Sequence, residues 1–186
     1  IRFCGLAAGQ EITLRFCNFN FDASGDYAIG TDNANRIILT VDAAGICKIS
    51  ASSGAGILLK KSKVIFAGDG ALTVTAGNGA DGTQDGENGQ DGGIGINAAD
   101  VTVDMTGTVT VKGGNGGNGK AGFSYDPSQY GAGYRHGQNG GAGGCGGDAV
   151  SVSGTFTVNK ATKVSLIAGN GGEGGDGGAG GGSNDE

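Results

Sequence analysis

The chain has 186 residues, of which 44 are glycine and one is proline, and its formal net charge is −6. This length suits one domain or a run of stacked repeats, and so little proline excludes a collagen triple helix. No basic stripe is present to neutralise phosphates, and the apolar runs are only a few residues long, so we expect no nucleic-acid binding and no membrane span.

Short strand-like stretches recur in a fixed order, with apolar residues alternating with Thr, Ser or Lys. Residues 12–19 look like the third strand of an incomplete first unit. The units that follow are 27–30, 37–41 and 46–50; 56–59, 64–66 and 72–76; 93–97, 101–103 and 108–112; and 148–152, 155–158 and 164–168. A three-strand unit repeated about every 25 residues, insertions excluded, is typical of a β-solenoid. The predicted fold class is all-β: a right-handed parallel β-helix with about three strands per coil.

Glycine falls on every third residue in the stretches that follow the third strands. It does so within residues 77–95, 113–122, 137–147 and 169–181. Three residues per turn is the period of polyproline II, and glycine lets such helices approach backbone to backbone. We therefore predict a bundle of polyglycine II helices flanking the β-helix. The coils form one domain over 1–171, with glycine-rich excursions 77–95 and 113–147 at one corner and a glycine-rich C-terminal arm at 169–186.

Strand-forming stretches before GNGG-type runs, over residues 56–182, resemble glycine-rich repeat β-solenoids of extracellular bacterial surface proteins. The glycine arms by themselves are similar to the polyglycine II bundles of springtail antifreeze proteins and some phage tail adhesins. These resemblances imply an extracellular location and a structural, adhesive or ice-binding role.

The loop 123–136 is the strongest candidate for ligand recognition, because tyrosine and arginine give broad and directional contacts in binding loops. The candidate ligand-binding residues are Phe123, Tyr125, Tyr130, Tyr134, Arg135 and His136. Aromatic rings and polar groups at this loop would suit a glycan or a protein surface. The alternative interpretation is that the rings cover the glycine arms and have a structural role.

Acidic residues in the first glycine stretch, Asp81, Asp85 and Asp91, offer the hard oxygens that calcium prefers. Their spacing matches neither an EF-hand nor a nine-residue calcium repeat. Solvated carboxylates that keep the glycine arms soluble explain the same pattern, so we predict no cofactor and keep calcium as the alternative.

Four cysteines, Cys4, Cys17, Cys47 and Cys145, lack the spacing of a zinc or redox motif. An oxidising extracellular setting would allow disulfides among them, in any of three pairings, and free buried thiols are the alternative. The sequence begins at Ile1 inside a strand-like stretch, which suggests a processed chain or an excerpt of a longer protein.

Two further patterns bear on function. Thr73 and Thr75, placed above Thr108 and Thr110, could form a flat hydroxyl array able to order ice-like water, although Thr is also ordinary on an exposed strand. The sequence contains no nucleophile elbow and no HExxH motif, and Asp100, Asp104 and Lys112 form a set that any polar strand face produces.

These observations together predict a non-enzymatic, extracellular structural or adhesive surface module, such as a stalk or a filament subunit. Its expected partners are further copies of itself or other surface proteins, with glycans as a third class. The alternative function is a ligand-binding module, either a glycan adhesin or an ice-binding protein.

Overall fold

The computed structural model describes residues 1–31, 36–124 and 136–179, which form thirteen β-strands and no helix. The strands of the first sheet are β1 (Arg2–Phe3), β2 (Glu11–Cys17), β4 (Tyr27–Thr31), β5 (Ile38–Ala44), β7 (Ala55–Gly68), β9 (Ile96–Met105), β11 (Val150–Val152) and β12 (Phe156–Lys160). The second sheet contains β3 (Asn20–Ala23), β6 (Ile46–Ala51), β8 (Ala71–Thr75), β10 (Thr108–Lys112) and β13 (Lys163–Ile167).

Every strand pair is parallel, and the pairings arrange the strands in five successive layers. The layers are β1, β2 and β3; β4, β5 and β6; β7 and β8; β9 and β10; and β11, β12 and β13. In the five-stranded sheet the order is β3-β6-β8-β10-β13, so each strand pairs with its equivalent in the next layer.

The predicted right-handed parallel β-helix with three strands per coil is wrong, and with it the description as a β-solenoid. The strands expected at 56–59 and 64–66 are parts of one strand, β7, so the chain forms two open parallel sheets instead of a closed coil. A bulge opposite Ala99 joins the two halves of β7: Leu59 pairs with Ala98 and Lys63 with Asp100. The bulge absorbs the extra residues, so the strand continues in the same sheet.

Residues 12–19 were also assigned to the wrong position in their unit. β2 pairs with β5 in the eight-stranded sheet, and the third-position strand of the first layer is β3. Apolar residues alternate with polar ones in either sheet, so this alternation does not identify the sheet.

The predicted polyglycine II helices are likewise absent from the described residues. The glycine-rich stretches are extended segments without helix or strand assignment, and their amides bond to carbonyl groups of neighbouring segments. The period of three therefore predicted which backbone groups face a neighbour, but it did not imply a helical element.

The hydrophobic core lies between the two sheets. Leu39, Val64 and Phe66 enter it from the eight-stranded sheet, and Ile49 and Val74 enter it from the five-stranded sheet; all five are fully buried. Burying a side chain of this size contributes about 1.5–3 kcal/mol to stability. Because the core residues of one layer stack on those of the next, the core has the shape of a column with two ends.

Candidate functional site

Five glycine-rich segments pack beside the sheets, and we call them the glycine array: residues 77–83, 86–95, 113–124, 137–147 and 169–179. Backbone bonds repeat between them at every third residue. Gly114 N–H donates to the carbonyl of Gly93 and Gly117 N–H to that of Gln90, each at 2.8 Å. Gly144 N–H then donates to the carbonyl of Gly117, also at 2.8 Å. Each segment is thus ordered by its neighbours, which supply partners for its polar backbone.

Close packing makes glycine necessary on the inner faces of the array. A Cβ atom added at Gly117 would overlap the carbonyl oxygen of Ala80, and one added at Gly172 would overlap that of Gly117. The outer face of the last segment differs, because a Cβ at Gly174 would lie 3.7 Å from its nearest neighbour and one at Gly177 would contact nothing. The array therefore ends in an uncovered backbone surface along 169–179.

Asparagine and aspartate side chains link the segments in a second set of bonds. Asn78 Oδ1 accepts from the N–H of Asn115, and Asn115 Oδ1 accepts in turn from the N–H of Asn170, both at 2.9 Å. Asn118 Oδ1 accepts from the N–H of Glu173 at 2.8 Å. The sequence analysis missed this role. The sequence contained a signal for this role, because these side chains recur at the same position relative to the glycines that fall on every third residue.

Two of the three acidic residues considered for calcium, Asp81 and Asp91, take part in the same links, whereas the third, Asp85, is exposed and takes no part in them. Asp81 Oδ1 accepts from the N–H of Asn118 at 2.6 Å, and Asp91 Oδ1 accepts from the N–H of Cys145 at 2.7 Å. No group of three or more candidate metal ligands occurs among the residues that the structure describes. The geometry assigns Asp81 and Asp91 a structural role, and calcium binding stays an untested alternative.

Glu87 holds the turn between the first two segments of the array. Its Oε2 accepts from the N–H of Gln84 at 2.8 Å, and from the N–H and hydroxyl of Thr83 at 2.7 and 2.9 Å. Gly86 adopts a φ of +71° in this turn, a conformation that disfavours other residues. The bonds from Gln84 and Thr83 lower the pKa of Glu87 from its ordinary value of 4.5.

The lowered pKa predicts that Glu87 stabilises the fold above about pH 4.5 and loses that effect as the pH falls through its folded pKa, because the unfolded chain binds the proton first. Glu87→Gln should therefore flatten the fall in melting temperature between pH 5 and about pH 3. The control is Glu173→Gln, whose carboxylate makes no hydrogen bond within the described ranges. Equal pH profiles for wild type and Glu87→Gln would contradict the assignment.

Most of the proposed recognition loop lies outside the described residues, including Tyr125, Tyr130, Tyr134 and Arg135. Its two ends are described. Phe123 is half-buried and its carbonyl accepts from the N–H of Gln138 at 2.9 Å, and His136 is exposed. Recognition by this loop stays a prediction.

The structure places the other sequence candidates as follows. All four cysteines are free thiols, with Cys47 buried and Cys4, Cys17 and Cys145 exposed. The hydroxyl array is narrower than expected, because Thr73 pairs with Thr110 but Thr75 pairs with Lys112 and Thr108 with Ala71. Asp100 and Asp104 lie on β9 and Lys112 on β10, in different sheets.

The last layer leaves the core uncovered. We define the C-terminal edge as β11, β12, β13 and residues 169–179. Six apolar side chains of this layer continue the buried rows of β9 and β10, namely Val150, Val152, Phe156, Val158, Val164 and Leu166. Val158 and Leu166 are 48% and 47% exposed, whereas Val103 and Val111 beneath them are at most 1% exposed.

The first layer forms the opposite end of the core. We define the N-terminal edge as β1, β2 and β3. Ile12 and Leu14 stack on Leu39 and Val41 of the next layer and are only partly buried. Phe16 and Phe19 stack with ring centroids 4.8 Å apart, and Phe19 and Phe21 lie 6.1 Å apart. The strands of this edge and the short connection between β2 and β3 therefore contain four phenylalanines, Phe3, Phe16, Phe19 and Phe21, whereas the C-terminal edge contains Phe156.

Comparison with protein-family models, with curated proteins and with solved structures finds no match to this chain. Nowhere in the described ranges is there a helix of the length and apolar character that crossing a bilayer requires.

Proposed function

We propose that this chain is a non-enzymatic structural module of the cell exterior that assembles head to tail, the C-terminal edge of one copy packing on the N-terminal edge of the next. One observation carries the proposal: the apolar core continues to the C-terminal edge, where Val158 and Leu166 remain about half exposed. Unpaired parallel strands at such an edge can accept further strands.

The strand directions favour a head-to-tail arrangement over a symmetric pair. Every pairing among the described residues is parallel, and within those residues both sheets end in strands that pair on one side only. A second copy in the same orientation would continue both sheets without reversing a strand. Such a contact joins two different surfaces, so it propagates into an open filament.

The two edges are matched in extent. Each contributes thirteen strand residues, and the flanking loops or glycine segment bring the total near the roughly 20–30 residues per side of a stable interface.

Arg15 and Lys160 would be neighbours across the contact, but each already faces a carboxylate: Arg15 Nε lies 2.8 Å from Asp42 Oδ2, and Lys160 Nζ lies 3.8 Å from Asp104 Oδ1.

Lysines placed at the C-terminal edge test the proposal. The wild type should show concentration-dependent association in sedimentation velocity and filaments in electron microscopy. The double variant Val158→Lys/Leu166→Lys should remain monomeric, because two charges would be buried without partners. The control is Ile46→Lys, an outward side chain of the second layer that is 69% exposed, and it should associate like the wild type.

A mixing experiment distinguishes head-to-tail assembly from a symmetric dimer. Leu14→Lys blocks the N-terminal edge in the same way, and thermal melting of each variant checks that it is folded. Head-to-tail assembly predicts that each blocked variant is monomeric alone and that the two together form a 1:1 dimer. A dimer of the Leu14→Lys variant by itself would indicate symmetric C-terminal contacts, and a monomeric wild type would contradict the proposal.

A further inference from the structure

A groove of about 690 Å³ crosses the eight-stranded sheet from the first layer to the last. It begins at Gly9, before β2, and passes Arg36 and the lysines of β7. It ends at Ser153 and Gly154, between β11 and β12. The groove thus spans all five layers, which at a strand spacing of about 4.8 Å makes it about 19 Å long. A site of this shape suits a linear ligand.

The bulge of β7 determines which side chains enter the groove. Ser62 is 1% exposed, and its Oγ accepts from the N–H of Ile37 at 3.1 Å, which anchors the bulge to the core. Lys60 and Lys61 precede this anchor and are both exposed in the groove. Bulges often redirect side chains in this way beside functional sites.

The groove is basic in a protein whose net charge is −6. Four of the twelve cationic side chains line it, namely Arg36, Lys60, Lys61 and Lys63. None of them makes an ion pair within the described part of the chain. Cations concentrated in a cleft raise the local concentration of anionic ligands.

Among the described residues that line the groove, Asp100 is the one carboxylate, and it already accepts hydrogen bonds. Its Oδ1 accepts from the N–H and the hydroxyl of Thr155, at 2.8 and 2.9 Å. These bonds, followed by the charge of Lys63, lower the pKa of Asp100, so it stays ionised near neutral pH. The groove therefore has three more positive than negative side chains.

We propose that this groove binds a linear acidic polysaccharide, with Arg36, Lys60, Lys61 and Lys63 contacting its carboxylate or sulfate groups. The lining residues that the structure describes include no aromatic side chain, and aromatic stacking is a main source of affinity for single-stranded nucleic acid. At the Gly9 end of the groove a Cβ atom would meet nothing within 4 Å, which leaves space there for a sugar ring.

Binding of labelled oligosaccharides tests the proposal, with fluorescence anisotropy as the measurement. The probes are an oligogalacturonate for carboxylates, a heparin oligosaccharide for sulfates, neutral dextran and a single-stranded DNA oligomer. An acidic oligosaccharide should bind, dextran should not, and DNA should bind more weakly. Lys60→Gln/Lys61→Gln should weaken acidic-oligosaccharide binding about tenfold at low salt, since each exposed charge-assisted contact contributes a few-fold.

Two controls make the outcome specific. Lys48→Gln/Lys112→Gln removes the same charge from exposed positions on the other sheet, outside both edges, and should change affinity less than twofold. Asp100→Asn can still accept from Thr155 and should increase affinity by a few-fold, an effect that misfolding cannot produce. Equal losses in the two lysine pairs, tighter binding of DNA than of either acidic oligosaccharide, or no binding of any acidic oligosaccharide would overturn the proposal.

Discussion

Replacing Gly117 with valine should lower the free energy of unfolding by about 3 kcal/mol or more. Gly117 is buried in the middle of the glycine array, and its Cβ would overlap the backbone carbonyl of Ala80. The overlap involves backbone on both sides, so it can be relieved only by separating segments. That separation would weaken the bonds from Gly117 N–H to Gln90 and from Gly144 N–H to Gly117. Denaturant unfolding followed by circular dichroism measures the loss.

Gly174→Val is the matched control for this prediction. Gly174 lies in the last segment of the same array, but its Cβ would lie 3.7 Å from the carbonyl oxygen of Gly141, an ordinary contact distance. Its substitution should change stability by less than about 0.5 kcal/mol. Similar destabilisation by both substitutions would show that the array responds to lost glycine in general and not to packing.

Phe66→Ala should lower the free energy of unfolding by about 3–5 kcal/mol, the range for a large side chain removed from a core. Phe66 is fully buried and is the largest side chain of the core, and it pairs with Val41 on one side and Val103 on the other. Both neighbouring layers are held in register by backbone hydrogen bonds, so they cannot collapse into the cavity. Thermal and denaturant unfolding should both report the change.

The control for Phe66 uses the same residue type in the last layer. Phe156 pairs with Val101 on one side, and the edge leaves its other side open. Phe156→Ala creates no enclosed cavity and should cost about half as much or less. If Phe156→Ala and Phe66→Ala lower the free energy of unfolding equally, the C-terminal edge must be covered. The assembly proposal explains such a result only if the protein in that sample is a filament. Sedimentation of the same sample shows whether it is.

Several third-position strands were predicted well from sequence alone. Residues 72–76, 108–112 and 164–168 were expected as strands, and β8, β10 and β13 lie at 71–75, 108–112 and 163–167. Their apolar residues alternate over five residues between glycine-rich flanks, and this local pattern suffices to place a strand. The every-third spacing of the glycines is also a local pattern, and it predicted which residues contact a neighbouring segment.

The arrangement of those strands was predicted less well. Whether two strands turn a corner or continue as one depends on the bulge between Leu59 and Lys63, and the bulge depends on Ser62 reaching Ile37, 25 residues earlier. The tyrosines of loop 123–136 pointed to a binding site there, whereas the basic groove was not predicted. Lys60, Lys61 and Lys63 are close in sequence, but only the fold places Arg36 of the preceding layer beside them.

The sequence by itself determined the all-strand character, the inward and outward faces of the strands, and the glycines that permit close contact, since each follows from a period of two or three residues. The tertiary structure decided everything that depends on distant partners. It merged two expected strands into β7, linked Asn115 to Asn170 across 55 residues, and gathered Arg36 and Lys60 in one groove. In stacked parallel layers each residue pairs with its equivalent in the next layer. Because the insertions between layers differ in length, the sequence separation of two residues does not reveal whether they are neighbours.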